Sequence, residues 1–344
     1  MRSVIVRSPG HIEIVDISTP VISPYQALVK TEMVAFCNAT DRKLIEGHFP
    51  GQDDYPMALG HENVGIVVAK GDKVENFEIG DRVIGGLISD LSYANLHSGW
   101  GGFSEYVVVN DFEVLKRDGL ATPEAGCWDS FEIQNKVSNT VAPDEAVLAC
   151  TWREVLGAFK DFNLTQDKKV LIFGAGPVGL SFIKLGRLFG LKQIDAVDIS
   201  TDKLRLAKEM GADHCFESGR VASDEFLKEH GASYDTVIDA VGLECIVNSA
   251  LALVKMGGDV CVYGVITGTP TLYLEKAPYN FNLRIHRWPT RSEEKAAMKP
   301  LTEWIEAGTL CASDFISHRY KIDEIEDAFA AIKRGEVIKT VMTF

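Results

Sequence analysis

The chain is poor in the features that mark several large classes of protein. Its seven cysteines, at 37, 127, 150, 215, 245, 261 and 311, are odd in number and contain no Cys-x-x-Cys pair. That pattern excludes a disulfide framework and suits a reducing, cytoplasmic compartment. No stretch approaches the roughly 18 uninterrupted apolar residues of a membrane span, and the opening MRSVIVRSPG lacks the apolar segment of a signal peptide. Basic charge is scarce: 35 Lys and Arg stand against 49 Asp and Glu, a net charge of −14. A field of that sign repels phosphate backbones and anionic lipids, so neither nucleic acid nor a membrane is expected as a partner. There is no internal repeat and no low-complexity tract. What is present is 344 residues, 46% hydrophobic and 24% charged, enough for two packed domains.

The first third reads as β. VIVRSPGHIEIVDI, QALVKTEMVAF, VGIVVAKG and FEIGDRVIGG alternate or run apolar between Gly and Pro punctuation, as in a partly open barrel or sandwich. From about residue 151 the style changes. TWREVLGAFKDF has helical spacing, and strands such as KVLIFG, QIDAVDI, DHCFE, YDTVIDAVG and GDVCVYGV then alternate with helical segments. This rhythm predicts a doubly wound parallel sheet, and with it an α/β fold class. Near residue 286 the rhythm stops. KPLTEWIEAG and EIEDAFAAIKRG follow as amphipathic helices, and VIKTVMTF reads as a closing strand.

GAGPVG, Gly174 to Gly179, lies between an apolar strand and a helix, the context a dinucleotide-binding turn requires. Gly174 permits the tight turn, Gly176 lets backbone approach a pyrophosphate, and Gly179 lets helix pack on strand. Pro177 and Val178 form the helix start, where free N–H groups and the positive end of the helix dipole favour phosphate. Asp198 ends the next strand, about 20 residues on, where a carboxylate accepts hydrogen bonds from both ribose hydroxyls and repels a 2′-phosphate. NAD(H) is therefore expected over NADP(H). Lys203 joins the candidate cofactor-binding residues. With Arg205 it either holds a phosphate or forms the solvated face of the helix after Asp198.

Cys37, in VAFCNATD, is either a core thiol or a metal ligand. His61 in LGHEN and Cys150 in VLACTW would complete a Cys, His, Cys set suited to catalytic Zn2+ with one position left open. The three are far apart in sequence, and spacing alone leaves both readings standing.

Taken together, GHE, GAGPVG, AVDIS and GGFSEYVVV resemble the medium-chain zinc-dependent alcohol and polyol dehydrogenases, from QALVKTEMVAFC to KRGEVIKTVMTF. The resemblance implies a GroES-like β-rich catalytic domain over residues 1–150, to which 287–344 return, and a Rossmann domain over 151–286, with the active site in the cleft between them. It implies that Cys37, His61 and Cys150, the last placed ahead of the helix leading to the Rossmann domain, hold one catalytic zinc. Glu62 is then the neighbouring carboxylate and an occasional direct ligand, Asp41 fixes the His61 tautomer from behind, and Thr40 relays the substrate proton. It also implies a small-molecule alcohol, polyol or ketone substrate and a homodimer or homotetramer, its Rossmann sheets joined through the strand around GDVCVYGV.

Two departures from the family pattern stand out. The turn Cys37-Asn38-Ala39-Thr40-Asp41 is one residue longer than the family's, which displaces the Thr40 hydroxyl. The segment VIGGLISDLSYANLHSGWGGFSEY carries no cysteine, so no structural zinc is expected. That absence resembles sorbitol and sugar dehydrogenases and points to a polyol or cyclic sugar alcohol. His48 and His97 read as loop residues. The 118–141 segment, with Cys127, Trp128, Asp129 and Phe131, reads as an insertion that shapes a substrate pocket, covers a neighbouring subunit, or packs on the surface. Trp100 shares that ambiguity. The competing readings are a zinc-free quinone or enone reductase on the same fold and a non-catalytic dinucleotide-binding protein.

Overall fold

The computed structural model describes residues 1–286 and 288–344, and the chain divides into two compact units. The first comprises Met1–Thr151 and Leu301–Phe344, the second Trp152–Pro300. The expected return at residue 287 lies outside the described residues. The return that is seen comes later, inside the helix Arg291–Glu306, whose first turns belong to the second unit. Buried Glu294 on that helix pairs with buried Arg153 at 3.1 Å, and Gly157 lies so close to the Glu294 backbone that a Cβ there would sit 2.9 Å away.

In the first unit the strand Gln26–Phe36 is the hub. Up to Met33 its burial alternates, with Ala27, Val29, Thr31 and Met33 inside and Leu28, Lys30 and Glu32 more exposed, the period of two that a strand imposes, and from Met33 to Phe36 it is buried throughout. It pairs antiparallel with Asn63–Lys70, with Tyr106–Asn110 and with Lys339–Thr343. The seven-stranded sheet runs Ile316–Lys321, Lys339–Thr343, Gln26–Phe36, Asn63–Lys70, Arg82–Ile84, Asn135–Val137, with Tyr106–Asn110 branching from Gln26–Phe36. A second sheet of four strands is built from His11–Asp16, Arg2–Ser8, Met57–Ala58 and His97–Ser98. Phe36, Leu44, Ile45, Phe103 and Phe329 fill the core between sheet and helices. Each such side chain contributes about 1.5–3 kcal/mol on burial.

Register positions the site. Phe36 pairs with Thr340 and Val34 with Asn63. The residue after Phe36, Cys37, therefore emerges between Lys339 on one side and His61–Glu62 on the other. The chain then turns into the short helix Thr40–Glu46, which buries Leu44 and Ile45 and ends at Gly47 in the left-handed region.

The second unit carries a six-stranded sheet in which every pairing is parallel, in the order His214–Glu217, Gln193–Asp198, Lys169–Phe173, Tyr234–Asp239, Val254–Val262, Asn282–Ile285. This is the doubly wound order, with its switch point beside Lys169–Phe173. The strand around GDVCVYGV is interior. The edge is Asn282–Ile285, a short segment whose Leu283 and Ile285 face outward and which periodicity alone did not reveal as a strand.

Candidate active site

Cys37 Sγ, a His61 ring nitrogen and a Glu62 carboxylate oxygen lie within 4.8 Å of one another. The neighbouring strand ends described above bring them together, and the turn after Cys37 holds them. The Asp41 carboxylate accepts the Cys37 backbone N–H at 2.9 Å through Oδ2, and its Oδ1 lies 3.2 Å from His61 Nδ1. Asp41 thus stands behind the imidazole and leaves Nε2 facing Glu62 Oε1 at 3.9 Å. Burial pulls the His61 pKa down, but the Asp41 carboxylate and the Cys37 sulfur outweigh it and raise the pKa well above 6.5. A metal entering here must displace that proton.

Thr40 is buried at the first position of its helix and donates its backbone N–H to Cys37 Sγ at 3.4 Å. The longer turn therefore keeps Thr40 beside the sulfur. Two residues that sequence reasoning passed over complete the site. Lys339 Nζ donates to Glu62 Oε1 at 2.8 Å and to Thr151 Oγ1 at 3.1 Å, and Thr151 Oγ1 donates to Glu62 Oε2 at 3.0 Å. Burial lowers the Lys339 pKa, and attraction to Glu62 and Cys37 reverses this and raises it, so the ammonium stays charged. The signal was a lone lysine among the apolar residues of VIKTVMTF.

Cys150 stands outside the three-donor group. It is buried, with its thiol 3.6 Å from the Asn63 carbonyl. It does not precede the helix, as expected, but lies within the helix Pro143–Asp161. Pro143 at the first position with Asp144 and Glu145 in the first turn marks that earlier start. His48 and His97 are exposed. Trp100 packs on the His61 ring at 5.3 Å between centroids, and Phe49 meets Trp100 edge-on at 5.9 Å. The 118–141 segment folds into two short helical turns and the sheet strand Asn135–Val137, with Trp128 stacked on Phe131.

On the second unit the three glycines have distinct surroundings. Gly174 has φ +96°, a Cβ at Gly176 would meet nothing within 4 Å, and one at Gly179 would collide with the Gly174 carbonyl oxygen. The helix Pro177–Phe189 begins at this turn, with Pro177 and Val178 in its first turn. Asp198 accepts the Ala175 N–H at 2.6 Å and the Ser200 N–H at 2.9 Å. The carboxylate therefore steadies the glycine turn while keeping lone pairs for another donor. Lys203 lies in the helix Thr201–Glu209, its backbone N–H capped by Ser200 Oγ at 3.4 Å. Exposed Ile199 follows Asp198. Open space over Gly176 at the start of a helix is what a pyrophosphate requires, and a thiol, an imidazole and a carboxylate are donors suited to Zn2+.

A partly buried group of candidate metal donors in one unit and a glycine turn suited to a dinucleotide in the other fit a metal-type dehydrogenase. Comparison with known proteins agrees: residues 23–119 match the alcohol dehydrogenase GroES-like domain and residues 177–304 the zinc-binding dehydrogenase domain, together well over half of the chain. The chain belongs to the medium-chain, zinc-binding dehydrogenase family of oxidoreductases. It is 26% identical to a sorbitol dehydrogenase of Halalkalibacterium halodurans over 97% of this chain and 96% of that one. Two solved structures share the fold. An alcohol dehydrogenase (rspB) from Escherichia coli CFT073, complexed with NADH, matches with TM-score 0.80 and 21% identity, over 100% of this chain and 99% of that one. A zinc-binding dehydrogenase from Sinorhizobium meliloti, bound to NADP, matches with TM-score 0.78 and 23% identity at the same coverage. Among the described residues no helix is long and apolar enough to cross a membrane.

Proposed function

We propose that this protein is an NAD(H)-dependent zinc dehydrogenase that interconverts a secondary alcohol, of the polyol or sugar type, and its ketone. The observation that carries the reading is the convergence of Cys37, His61 and Glu62 with Asp41 behind the imidazole. A zinc-free reductase on this fold has no use for such a donor set.

Cys37, His61 and Cys150 would hold one zinc ion, with Glu62 beside it. The Cys150 thiol donates only weakly to the Asn63 carbonyl, and once deprotonated it has no proton to keep it there. When bound, the zinc supplies Lewis acidity to the carbinol oxygen and the nicotinamide exchanges the hydride. The chain's own residues do the rest. Asp41 fixes the His61 tautomer. Lys339 and Thr151 restrain Glu62 and balance its charge. Thr40, next to Cys37, takes the substrate proton and passes it toward solvent. Gly174, Gly176, Pro177, Val178 and Gly179 accommodate the pyrophosphate, and Asp198 accepts ribose hydroxyls, favouring NAD over NADP, with Lys203 alongside. The related sorbitol dehydrogenase supports the polyol class.

A homodimer fits the outer edge of the Rossmann sheet, where Asn282–Ile285 leaves unpaired backbone groups and Leu283, Ile285 and Tyr279 are exposed. Seven free cysteines suit a cytoplasmic setting.

The test is NAD+ reduction by a panel of polyols and simple secondary alcohols, with NADP+ in parallel, on protein whose zinc has been counted. Zinc-dependent NADH formation with a polyol supports the proposal. NADPH-driven reduction of quinones by zinc-free protein would replace it with the reductase reading.

A further inference from the structure

We infer that Trp100 is the specificity-determining wall of this site, and that the substrate is an uncharged ring-shaped polyol whose C–H face lies on the indole. The inference rests on the function proposed above and deepens it.

Trp100 has φ +70°, a conformation that glycine adopts freely and a bulky side chain rarely does. Its surroundings over-determine it. The Trp100 carbonyl accepts the Ile88 N–H at 2.8 Å, while Gly101 and Gly102 donate to the carbonyls of Ala58 and Gly60 at 3.1 and 2.7 Å. The flanking glycines have no room for side chains: a Cβ at Gly99 would lie 2.8 Å from the Ala58 carbonyl oxygen, and one at Gly102 2.7 Å from that of Gly60. The loop is thus pinned so that the one large side chain in Gly-Trp-Gly-Gly is delivered onto the ring of His61.

Two bodies brace the indole. Phe49 meets it edge-on, and it packs against the cluster of Leu87, Leu115 and Phe131, of which Phe131 belongs to the 118–141 segment. The segment that the sequence marked as an insertion therefore contributes Phe131 to the apolar cluster behind the indole. Trp100 nonetheless remains only partly buried. A flat apolar face beside a site that binds a carbinol oxygen favours a molecule with hydroxyls around its rim and C–H groups on its face. A cyclic polyol has that form, whereas an open chain presents no continuous face. Trp100 and Phe49 offer no charge to a phosphorylated substrate, and the nearby Lys339 is already engaged by Glu62.

The experiment compares zinc-loaded wild type, Trp100→Phe and Trp100→Ala with two probes of equal carbon number, myo-inositol and D-sorbitol. The expected result is a wild-type preference for the ring. In Trp100→Ala, kcat/KM for the ring falls roughly tenfold to a hundredfold, mainly through KM, while the value for the open chain stays within about twofold. Trp100→Phe is expected to fall between. Zinc per chain is expected to hold in both variants, and the melting temperature to fall in Trp100→Ala more than in Trp100→Phe. A second readout needs no turnover: Co2+ loaded in place of zinc quenches tryptophan emission, and Trp100→Phe removes most of the quenched fraction. An equal loss on both probes, a wild-type preference for the open chain, turnover of neither, or unchanged quenching in Trp100→Phe would overturn the inference while leaving the dehydrogenase reading in place. Wild-type protein with neither zinc nor turnover on any alcohol would overturn both.

Discussion

Lys339 Nζ lies 2.6 Å from Glu62 Oε2 and 2.8 Å from Glu62 Oε1, with each side chain only 3% exposed. Residues 277 positions apart in the chain thus form a sealed ion pair against the metal-donor group. Removing one partner leaves the other charged and buried. Lys339→Met is expected to cost about 3–5 kcal/mol, read as a lower denaturation midpoint. Adding Glu62→Leu to it should recover much of that loss, whereas simple additivity would show that the two side chains are energetically independent.

The glycine turn allows a paired prediction. Gly176→Ala puts a methyl into open space, so the melting temperature should hold while the Kd for NAD+ rises at least tenfold. Gly179→Ala drives a methyl into the Gly174 carbonyl and should lower the melting temperature. Calorimetry and fluorescence titration of the two variants separate a cofactor effect from a packing effect. A Gly176→Ala protein that binds NAD+ normally would remove the pyrophosphate from this turn.

Asp198 bears on cofactor choice. Its carboxylate meets the Ala175 and Ser200 N–H groups and keeps lone pairs for ribose hydroxyls. Asp198→Ala is expected to shift the ratio of kcat/KM for NAD+ over NADP+ toward NADP+ by at least tenfold, through loss of repulsion of the 2′-phosphate. An unchanged ratio would assign the carboxylate to the turn alone.

The strand–turn–helix placement of these elements was the legible part of the sequence, because each is local: an apolar strand, three glycines and an acidic residue ending the next strand lie where the pattern put them. Asp41 behind His61 was equally legible once the turn after Cys37 was aligned with a known pattern. Lys339 was not. Its role comes from the register of the closing strand against Gln26–Phe36, and nothing in VIKTVMTF says which strand lies next to it. The edge strand Asn282–Ile285 was hidden for a related reason: three of its four residues are exposed, so it lacks the apolar run of an interior parallel strand. Cys150 was placed too early because the polar first turn of Pro143–Asp161 masked the start of the helix.

Acid stability should follow Asp111. This carboxylate is buried, and burial raises its pKa. Hydrogen bonds from the Asn76 and Glu75 backbone N–H groups, the Asn76 side chain and the Val114 N–H outweigh burial and bring the pKa below 3.8. Because the folded value is the lower one, the contribution is fully present above the unfolded pKa near 3.8 and is lost as pH falls through the folded pKa. Asp111→Asn should be less stable at neutral pH by about 1–3 kcal/mol and should show a shallower acid limb below pH ~4 in a pH series of thermal melts. A variant as acid-sensitive as the wild type would refute this assignment.

The central claim is that Cys37 begins a zinc site, and elemental analysis of untagged protein purified without added metal tests it most directly. The account predicts about one zinc per chain in the wild type and loss of both zinc and turnover in Cys37→Ser. Wild-type protein without zinc, or a Cys37→Ser protein that keeps its zinc and its activity, would contradict it and return Cys37 to the core as an ordinary thiol.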